Sequence, residues 1–600
     1  MIRVRNENLE KKIPYLFIGV ALCICMVLSG GLNWNGCIIS LLLMIIGIVS
    51  LNGVKKIRFT FPIIFMLIFC GISALISVGN PQVGIYETFK FICFIEALLV
   101  GYLIKSDNKI FKLLFFNALI LSVFGILACC KIVNFAEFTF KDNGILRLQS
   151  FVKYANVTAC FLACGYISFL ELFISEKKSA YLYGGGCILI AMYFTFSKAC
   201  LPIFLVVTTF YLHKKKNLSK IFLVQNIIAI LLLSIMLFAS NKNIYFLLLL
   251  LTVGGIILSG KVSIGTNKFF KIWILALITF FIAALCLVCV KPSLLGTFSA
   301  RLNYMKDAIG LVKKNPLFGC GFGSWRVLQY SVQTKQYDVT YMHNGVLQMI
   351  VENGILFTTC FLGMIAYSVV NGVKHKQYGN VAIVLMILIH SLVDCDLSFG
   401  VILMTLGFVV GGMLPEKSGF KIYNCITNCM LISVLIILCM FMFTEYAVRS
   451  SFEKSYLESD YGIAKTKLSK LTAICPFDFQ LRVTEAALEE KTTNDKSIVR
   501  QNLKEAVELL PYDPEIYEMY MNYNLTEEDI EKMCTEYISL APKQEKTYAF
   551  LKQYLLKAKN NSVISEQKYS KIFTLVENKR IKEKVIDRNE LLNQLVEKER

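Results

Sequence analysis

This sequence is short of charge. Asp, Glu, Lys and Arg make up only 17% of its 600 residues, against about a quarter in an ordinary soluble chain. With 56% hydrophobic residues and a mean hydropathy of +0.60, a wholly soluble or a disordered protein is excluded. A disulfide framework is also missing. The 21 cysteines lie mostly inside apolar runs (Cys23, Cys25, Cys129, Cys130 among them), where Cys packs as a small hydrophobe. Cys286 and Cys289 have metal-site spacing but no second pair or nearby His, so structural zinc is not expected. No small-residue cleavage site follows the first apolar run, which therefore reads as a membrane span rather than a signal peptide. Histidine is scarcest of the titratable residues, with four in the chain.

What is present is long apolar sequence. A bilayer core is crossed by about 20 helical residues, and fifteen runs qualify or nearly do: 13–31, 37–52, 59–78, 86–104, 110–130, 156–175, 180–196, 199–212, 221–239, 243–260, 271–290, 355–371, 380–394, 397–414 and 422–444. Several are short, so the expectation is an all-α polytopic protein of about 12–15 transmembrane helices. The net charge of +20 does not point to nucleic acid, because the basic residues alternate with the spans. Lys55, Lys56 and Arg58, then Lys105, Lys109 and Lys112, then Lys177 and Lys178, then Lys214 to Lys216, then Lys374 and Lys376, and finally Lys417 and Lys421 fall in every second loop. Excess Lys and Arg marks the cytoplasmic side. The N-terminus is then expected inside, and everything after the last span outside, in a plasma membrane.

Two of the outer loops are long, 131–155 and 291–354, and long ordered loops are usually functional. Beyond them the chain divides at 445/446. Residues 1–445 read as the membrane domain. Residues 446–600 have 25 basic and 26 acidic residues, no membrane-length run, and apolar positions at helical spacing such as Ala464, Leu468 and Leu471. A phrase recurs in this tail, LTAICPFDFQLR, AVELLPYDPEIY and YISLAPKQEKTY, with its prolines 35 and 31 residues apart. That spacing is close to the roughly 34-residue tetratricopeptide unit of paired helices. An irregular helical bundle is the alternative.

Within the second long loop, Leu302, Met305, Ile309 and Val312 keep one face of a helix over 299–314, opened by Arg301 and ended by Asn315-Pro316. Gly319-x-Gly321-x-Gly323 follows. It lacks the GxGxxG spacing and any preceding strand, so it reads as a turn allowing close backbone approach rather than a nucleotide loop. After His343, the residues Asn344, Gln348 and Glu352 share one helix face, and Asn353-Gly354 stops that helix before the span at 355. His390, Asp394 and Asp396 sit together near a membrane surface, where charge must be satisfied or functional. Arg147, Lys153, Lys198, Arg301, Lys306 and Arg326 are basic residues on the expected outer side. Each alone could be solvated; together they suggest a site for an anion held near the membrane.

The stretch RLNYMKDAIGLVKKNPLFGCGFGSW, followed by HNGVLQMIVENGILF, resembles the core of the O-antigen ligase and polymerase family of integral-membrane glycosyltransferases. SFVKYANVTACFLACGY, TFSKACLPIFLV and HSLVDCDLSF resemble further segments of that family, over roughly 144–415. Two positions depart from it, Lys198 where Arg is usual and Phe357 where Gly is frequent. The resemblance implies transfer of a glycan from an undecaprenyl-diphosphate-type carrier to an acceptor hydroxyl on the outer face, inverting and independent of metal or other cofactor. His343 and Arg301 would be the catalytic pair. Lys198, Arg147 and Arg326 would bind the diphosphate, and Asn344, Gln348 and Glu352 would support. Expected partners are the lipid diphosphate-linked donor, a glycan, lipid or protein acceptor, membrane lipids and a protein held by 446–600, with no nucleic acid. The chemistry agrees: an imidazole suits proton removal from a hydroxyl, and preset cations suit a departing diphosphate. A lipid-linked glycan flippase, or a scaffold working through the tail, are the competing readings.

Overall fold

In the computed structural model the described residues span 13–585, apart from 230–295, 216–220 and shorter stretches. Two of the expected spans, 243–260 and 271–290, about two thirds of 221–239, and the pair Cys286 and Cys289 lie outside the described residues. The rest is an all-α polytopic membrane protein. Its membrane part comprises α1 (Ile13–Val27), α2 (Trp34–Ser50), α3 (Phe61–Leu75), α4 (Pro81–Ile104), α5 (Lys109–Cys129), α6 (Ala155–Glu176), α7 (Ala180–Phe194) and α8 (Cys200–Lys214), then, after the long loop, α11 (Gly345–Lys374), α12 (Tyr378–Ser391), α13 (Gly400–Met413) and α14 (Asn424–Leu457). The loop itself holds α9 (Gly296–Lys314) and α10 (Trp325–Val332). The helices α5, α6 and α11 are both long and apolar enough to cross a bilayer.

Contacts between the described connections sort them into two ends. Basic loops meet at one. There Lys112 and Lys178 pair with Glu176 at 2.6 and 2.8 Å, and a short antiparallel pair, β1 (Arg58–Phe59) with β4 (Phe420–Lys421), sets Arg58 opposite Lys421. The long loops meet at the other end. The 131–155 loop folds as the hairpin β2 (Thr139–Asp142) and β3 (Ile145–Leu148), and Arg147 on β3 donates to the Thr195 carbonyl between α7 and α8 at 2.9 Å. Between the ends, α4 and α13 are in close contact. A Cβ at Gly407 or Gly411 would lie 2.4 or 2.0 Å from the Phe94 or Leu98 carbonyl, so the small-x-x-x-small spacing lets the two backbones touch, as in membrane helix pairs generally.

The last span does not stop where the composition changes. Helix α14 runs unbroken from 424 to 457, through the expected boundary at 445/446. The tail continues as α15 (Tyr461–Ile474), α16 (Phe479–Thr492), α17 (Lys496–Leu509), α18 (Pro514–Tyr523), α19 (Ile530–Leu540), α20 (Glu545–Asn560) and α21 (Glu566–Lys582). Each recurrence of the proline phrase is the turn inside a helix pair: 475–478, 510–513 and 541–544. Proline ends one helix and a residue two positions later opens the next. Asp478 accepts from the Gln480 amide at 3.0 Å. Asp513 accepts from those of Glu515 and Ile516 at 2.8 and 3.2 Å. These are N-caps that satisfy amides a helix start leaves open.

In the third turn Gln544 stands at the capping position and points elsewhere. It donates to Gln333 Oε1 at 2.9 Å and the Tyr337 carbonyl at 3.1 Å, and accepts from Gln336 at 3.0 Å. Ala506, Leu510 and Ile516 of the tail share a core with Leu311, Trp325 and Leu328 of the loop. The tail is therefore seated on the loop that carries His343. In α9 the apolar stripe read from the sequence divides: Leu302 and Ile309 are 48% and 47% exposed, while Ala308, Leu311 and the side chain of Asp307 are buried.

Candidate active site

The glycine-rich turn and the helix after His343 form one construction. Helix α11 breaks at Gly354 (φ 73°, ψ 176°). In an unbroken helix the carbonyls of Val351 and Glu352 would accept from residues 355 and 356. Instead they accept from Cys320 and Gly321 at 2.9 and 2.7 Å, while the amides of Ile355 and Leu356 donate to the carbonyls of Pro316 and Leu317 at 2.9 and 3.4 Å. Gly319, Gly321 and Gly323 all have positive φ, 72°, 89° and 73°. A Cβ at Gly321 would lie 2.3 Å from Ser77 Cα, so only glycine lets the turn lie against the end of α3. The exchange fixes the amphipathic first turns of α11, residues 345–353, and with them the short segment just ahead of them.

His343 stands there, 22% exposed. Its Nδ1 lies 3.3 Å from Asp394 Oδ1 and 3.4 Å from the Tyr154 hydroxyl. Its ring is stacked near Tyr304 of α9, centroids 6.2 Å apart. Among the described residues Nε2 has no hydrogen-bond partner. Asp394 is fully buried between α12 and α13. Its Oδ1 also accepts from the Tyr154 hydroxyl at 3.1 Å and the Cys395 amide at 2.9 Å. Its Oδ2 accepts from Asn156 Nδ2 at 2.6 Å and from Arg301 at 3.3 Å. Arg301 additionally donates to the Val393 carbonyl at 2.6 Å. A carboxylate without water is stable only with this density of donors. Residues distant in sequence thus converge: the start of α6, the first turns of α9, His343 two residues ahead of α11, and the α12–α13 connection.

Residues 163–362 match the family described as O-Antigen ligase. The chain carries an O-antigen ligase domain. No curated protein matches the chain. The matched segment includes Lys198, Arg301, Arg326, His343 and the supporting face of α11, whereas Arg147, Tyr154, Asn156 and Asp394 flank it. The family supports a role in transferring lipid-linked glycans.

In and around the O-antigen ligase domain the structure distributes the expected site residues unevenly. His343 and Arg301 are brought together through Asp394. Arg147 joins the same network one step out: it donates to Asn156 Oδ1 at 3.3 Å and pairs with Asp142 at 2.8 Å. Lys198 lies exposed in the Thr195 loop that Arg147 holds. Arg326 is not part of this group. It follows the buried Trp325, points the other way, and lines a separate cavity against the tail.

The three supporting residues act on backbone rather than on the imidazole. Asn344 caps α11 by accepting from the Leu347 amide at 2.9 Å. Gln348 accepts from the Met342 amide at 2.9 Å and donates to Glu352 at 3.2 Å. The amides of Gly323 and Trp325 face the Glu352 carboxylate at the start of α10. Tyr337, whose ring stacks on Trp325 and packs at a tilt against Tyr304, donates to Asp307 at 3.0 Å. Burial, with Asp307 beside it, pushes its hydroxyl pKa up, so it stays a donor.

Sequence reasoning missed Tyr154 and Asn156, which lie in the quoted YAN segment but carry no local signal. Asp394 was visible only as a costly carboxylate near a membrane surface. The structure separates the two carboxylates of that motif. Asp396 takes His390, Nδ1 to Oδ2 at 2.6 Å, and Asp394 takes His343. Among the described residues two donor sets have the closeness a metal ion needs, Cys160 with His390 and Asp396, and His343 with Asp394 and Cys395. The second already has the Arg301 guanidinium on its carboxylate, which opposes a further cation.

Proposed function

We propose that this chain transfers a glycan from a polyprenyl diphosphate carrier to an acceptor hydroxyl at the outer face of the plasma membrane, with inversion and without metal, in the assembly of a cell-surface polysaccharide or glycoconjugate. The observation that carries the reading is the shared carboxylate: Asp394 holds the imidazole of His343 and the guanidinium of Arg301 at once. The end of the bundle opposite the Lys-rich loops is read as the outer face, which puts the tail outside as well.

The roles follow from the donors. Asp394 accepts the His343 Nδ1 proton, which fixes the tautomer and leaves Nε2 as a base toward the partly open side. Nε2 takes the proton of the acceptor hydroxyl as its oxygen attacks the anomeric carbon. The bond from that carbon to the diphosphate oxygen breaks, and the lipid diphosphate leaves with the electron pair. A single displacement inverts the anomeric centre. The growing charge falls on the diphosphate, and Arg301 has donors beyond the two it gives to Val393 and Asp394. Lys198 and Arg147 add positive charge nearby. The imidazolium formed is stabilised by Asp394.

The test is His343→Ala, assayed for glycan transfer from the lipid diphosphate in membrane vesicles. Loss of transfer with the protein still inserted is expected; activity within twofold of the parent refutes the reading. A chelator should leave transfer intact, and its loss on chelation rejects the cationic route.

A further inference from the structure

One large cavity lies away from His343. It lies between the membrane domain and the tail, with a volume of about 1160 Å³, above the roughly 300–1,000 Å³ typical of small-ligand pockets. Its two sides differ in chemistry. Ile39, Leu42 and Phe443 come from membrane helices and Leu28 from the turn after α1, and Phe443 is 75% exposed. Asp478, Gln480 and Asp513 come from the first two proline turns of the tail and the helix start beside them. Arg326, Tyr86 and Tyr446 line the space as well.

The charges limit what fits. Arg326 and Arg449 face Glu445, Asp478 and Asp513, two positive groups against three negative ones. Arg449 is already paired with Glu445 and lies 3.7 Å from Asp478. A polyanion would meet three carboxylates. A wholly apolar ligand would strip five charged groups of water. A saccharide suits both: its hydroxyls bond to carboxylate and guanidinium alike, and its C–H faces rest on Tyr86, Tyr446 and Phe479. The caps at Asp478 and Asp513 use Oδ1 of each; Oδ2 of Asp478 faces Arg449, and acceptor capacity remains on Oδ2 of Asp513. The apolar side accommodates an anchor in the bilayer.

Position links the cavity to the candidate chemistry. Gly323 forms part of its wall, and the adjacent Phe322 lines a small second cavity that reaches Gly345 and Gln348, two and five residues past His343. The glycine turn is the partition between them. We propose that the large cavity binds the saccharide of a lipid-anchored acceptor, its sugars against the tail and its lipid along α1, α2 and α14. This rests on the transfer function proposed above and names the acceptor's place in it.

The experiment places a photocrosslinking phenylalanine derivative at Tyr446, which is 69% exposed, in the full chain in cells that make its glycan. The expected adduct is a high-mass ladder that stains for periodate-oxidised sugar. Protein-only adducts, phospholipid-only adducts or no adduct overturn the proposal. A second arm measures kinetics for the double variant Arg326→Gln, Tyr446→Ala. The apparent KM for acceptor should rise about tenfold, with kcat and the donor KM within twofold; an unchanged acceptor KM also overturns it. The crosslink is repeated in His343→Ala. If the sugar adduct is missing while His343→Ala abolishes transfer, the cavity assignment fails and the enzymatic reading stands. If His343→Ala transfers normally, the enzymatic reading fails whatever the adduct.

Discussion

Replacing Asp394 by Asn is the sharpest probe of the site, because it keeps the shape and removes one charge. The carboxylate has only acceptors, and every neighbour is a donor. On Oδ1 these are the Cys395 amide, the Tyr154 hydroxyl and His343; on Oδ2 they are Asn156 and Arg301. An Asn side chain must aim its amide N–H at one of these groups of donors. The smaller conflict is on the Oδ2 side. Asn156 could relieve it by turning over, but its Oδ1 already accepts from Arg147. Two hydrogen bonds to a charged group are thus lost or reversed, at about 1.5–3 kcal/mol each. If that loss is felt mainly when His343 carries the proton, each ~1.4 kcal/mol is tenfold in rate. Transfer should then fall by roughly 10²–10⁴. The assay is glycan transfer in vesicles, normalised to inserted protein and to its thermal unfolding in detergent. An Asp394→Asn variant that folds and retains more than a third of parental activity refutes the argument that the carboxylate organises the site.

Arg301→Lys replaces a fork that reaches both the Val393 carbonyl and Asp394 by a point charge that can hold one of them; transfer should drop about 10- to 100-fold, read in the same vesicle assay, and full activity would show the fork is not needed. Gly321→Ala should destabilise by about 2–4 kcal/mol, since it adds a strained positive φ to a 2.3 Å clash with Ser77. Gly310→Ala, with nothing within 4 Å of its added Cβ, is the control, and equal detergent melting temperatures for the two would contradict the packing argument. Gln544→Ala removes the hydrogen bonds to Gln333, Gln336 and Tyr337. It should weaken the seating of the tail by about 1–3 kcal/mol, seen as faster proteolysis of the 333–341 segment with the membrane helices intact.

Much of the fold is legible in the sequence because crossing a bilayer leaves few options: backbone groups must bond within a helix, and side chains in lipid must be apolar. Loop charge then orders the ends, and the structure brings the Lys-rich loops together as that order requires. The α9 stripe shows where periodicity stops. Leu302, Met305, Ile309 and Val312 do line up, yet Leu302 and Ile309 lie exposed and the helix buries Ala308 and Leu311 instead. A repeat of 3.6 gives an angle but not what lies across from it, and at a membrane boundary an apolar stripe need not face a core. His343 stood out as one of four histidines, set in a long loop, and Arg301 as one of several basic residues on the expected outer side. Asp394 did not stand out from Asp396, because its partners are 51 and 93 residues away and only tertiary structure sorts the two carboxylates. Arg326 is the reverse case. It follows the glycine turn closely in sequence, but one residue past the buried Trp325 a helix has rotated by about 100°, and the guanidinium leaves the group it seemed to join.

The unbroken α14 has a mechanical meaning. Its 34 residues span about 51 Å at 1.5 Å per residue, well beyond a hydrocarbon core of about 30 Å, so the tail is carried on a stiff shaft instead of a tether. Rotation and height are then locked together like the pitch of a screw. Inserting a single residue near Val448 would swing all that follows by about 100° and lift it 1.5 Å, enough to carry Gln544 out of reach of Gln333. A bilayer of different thickness, by changing the tilt of this shaft, would move the tail's whole mass over the glycine turn.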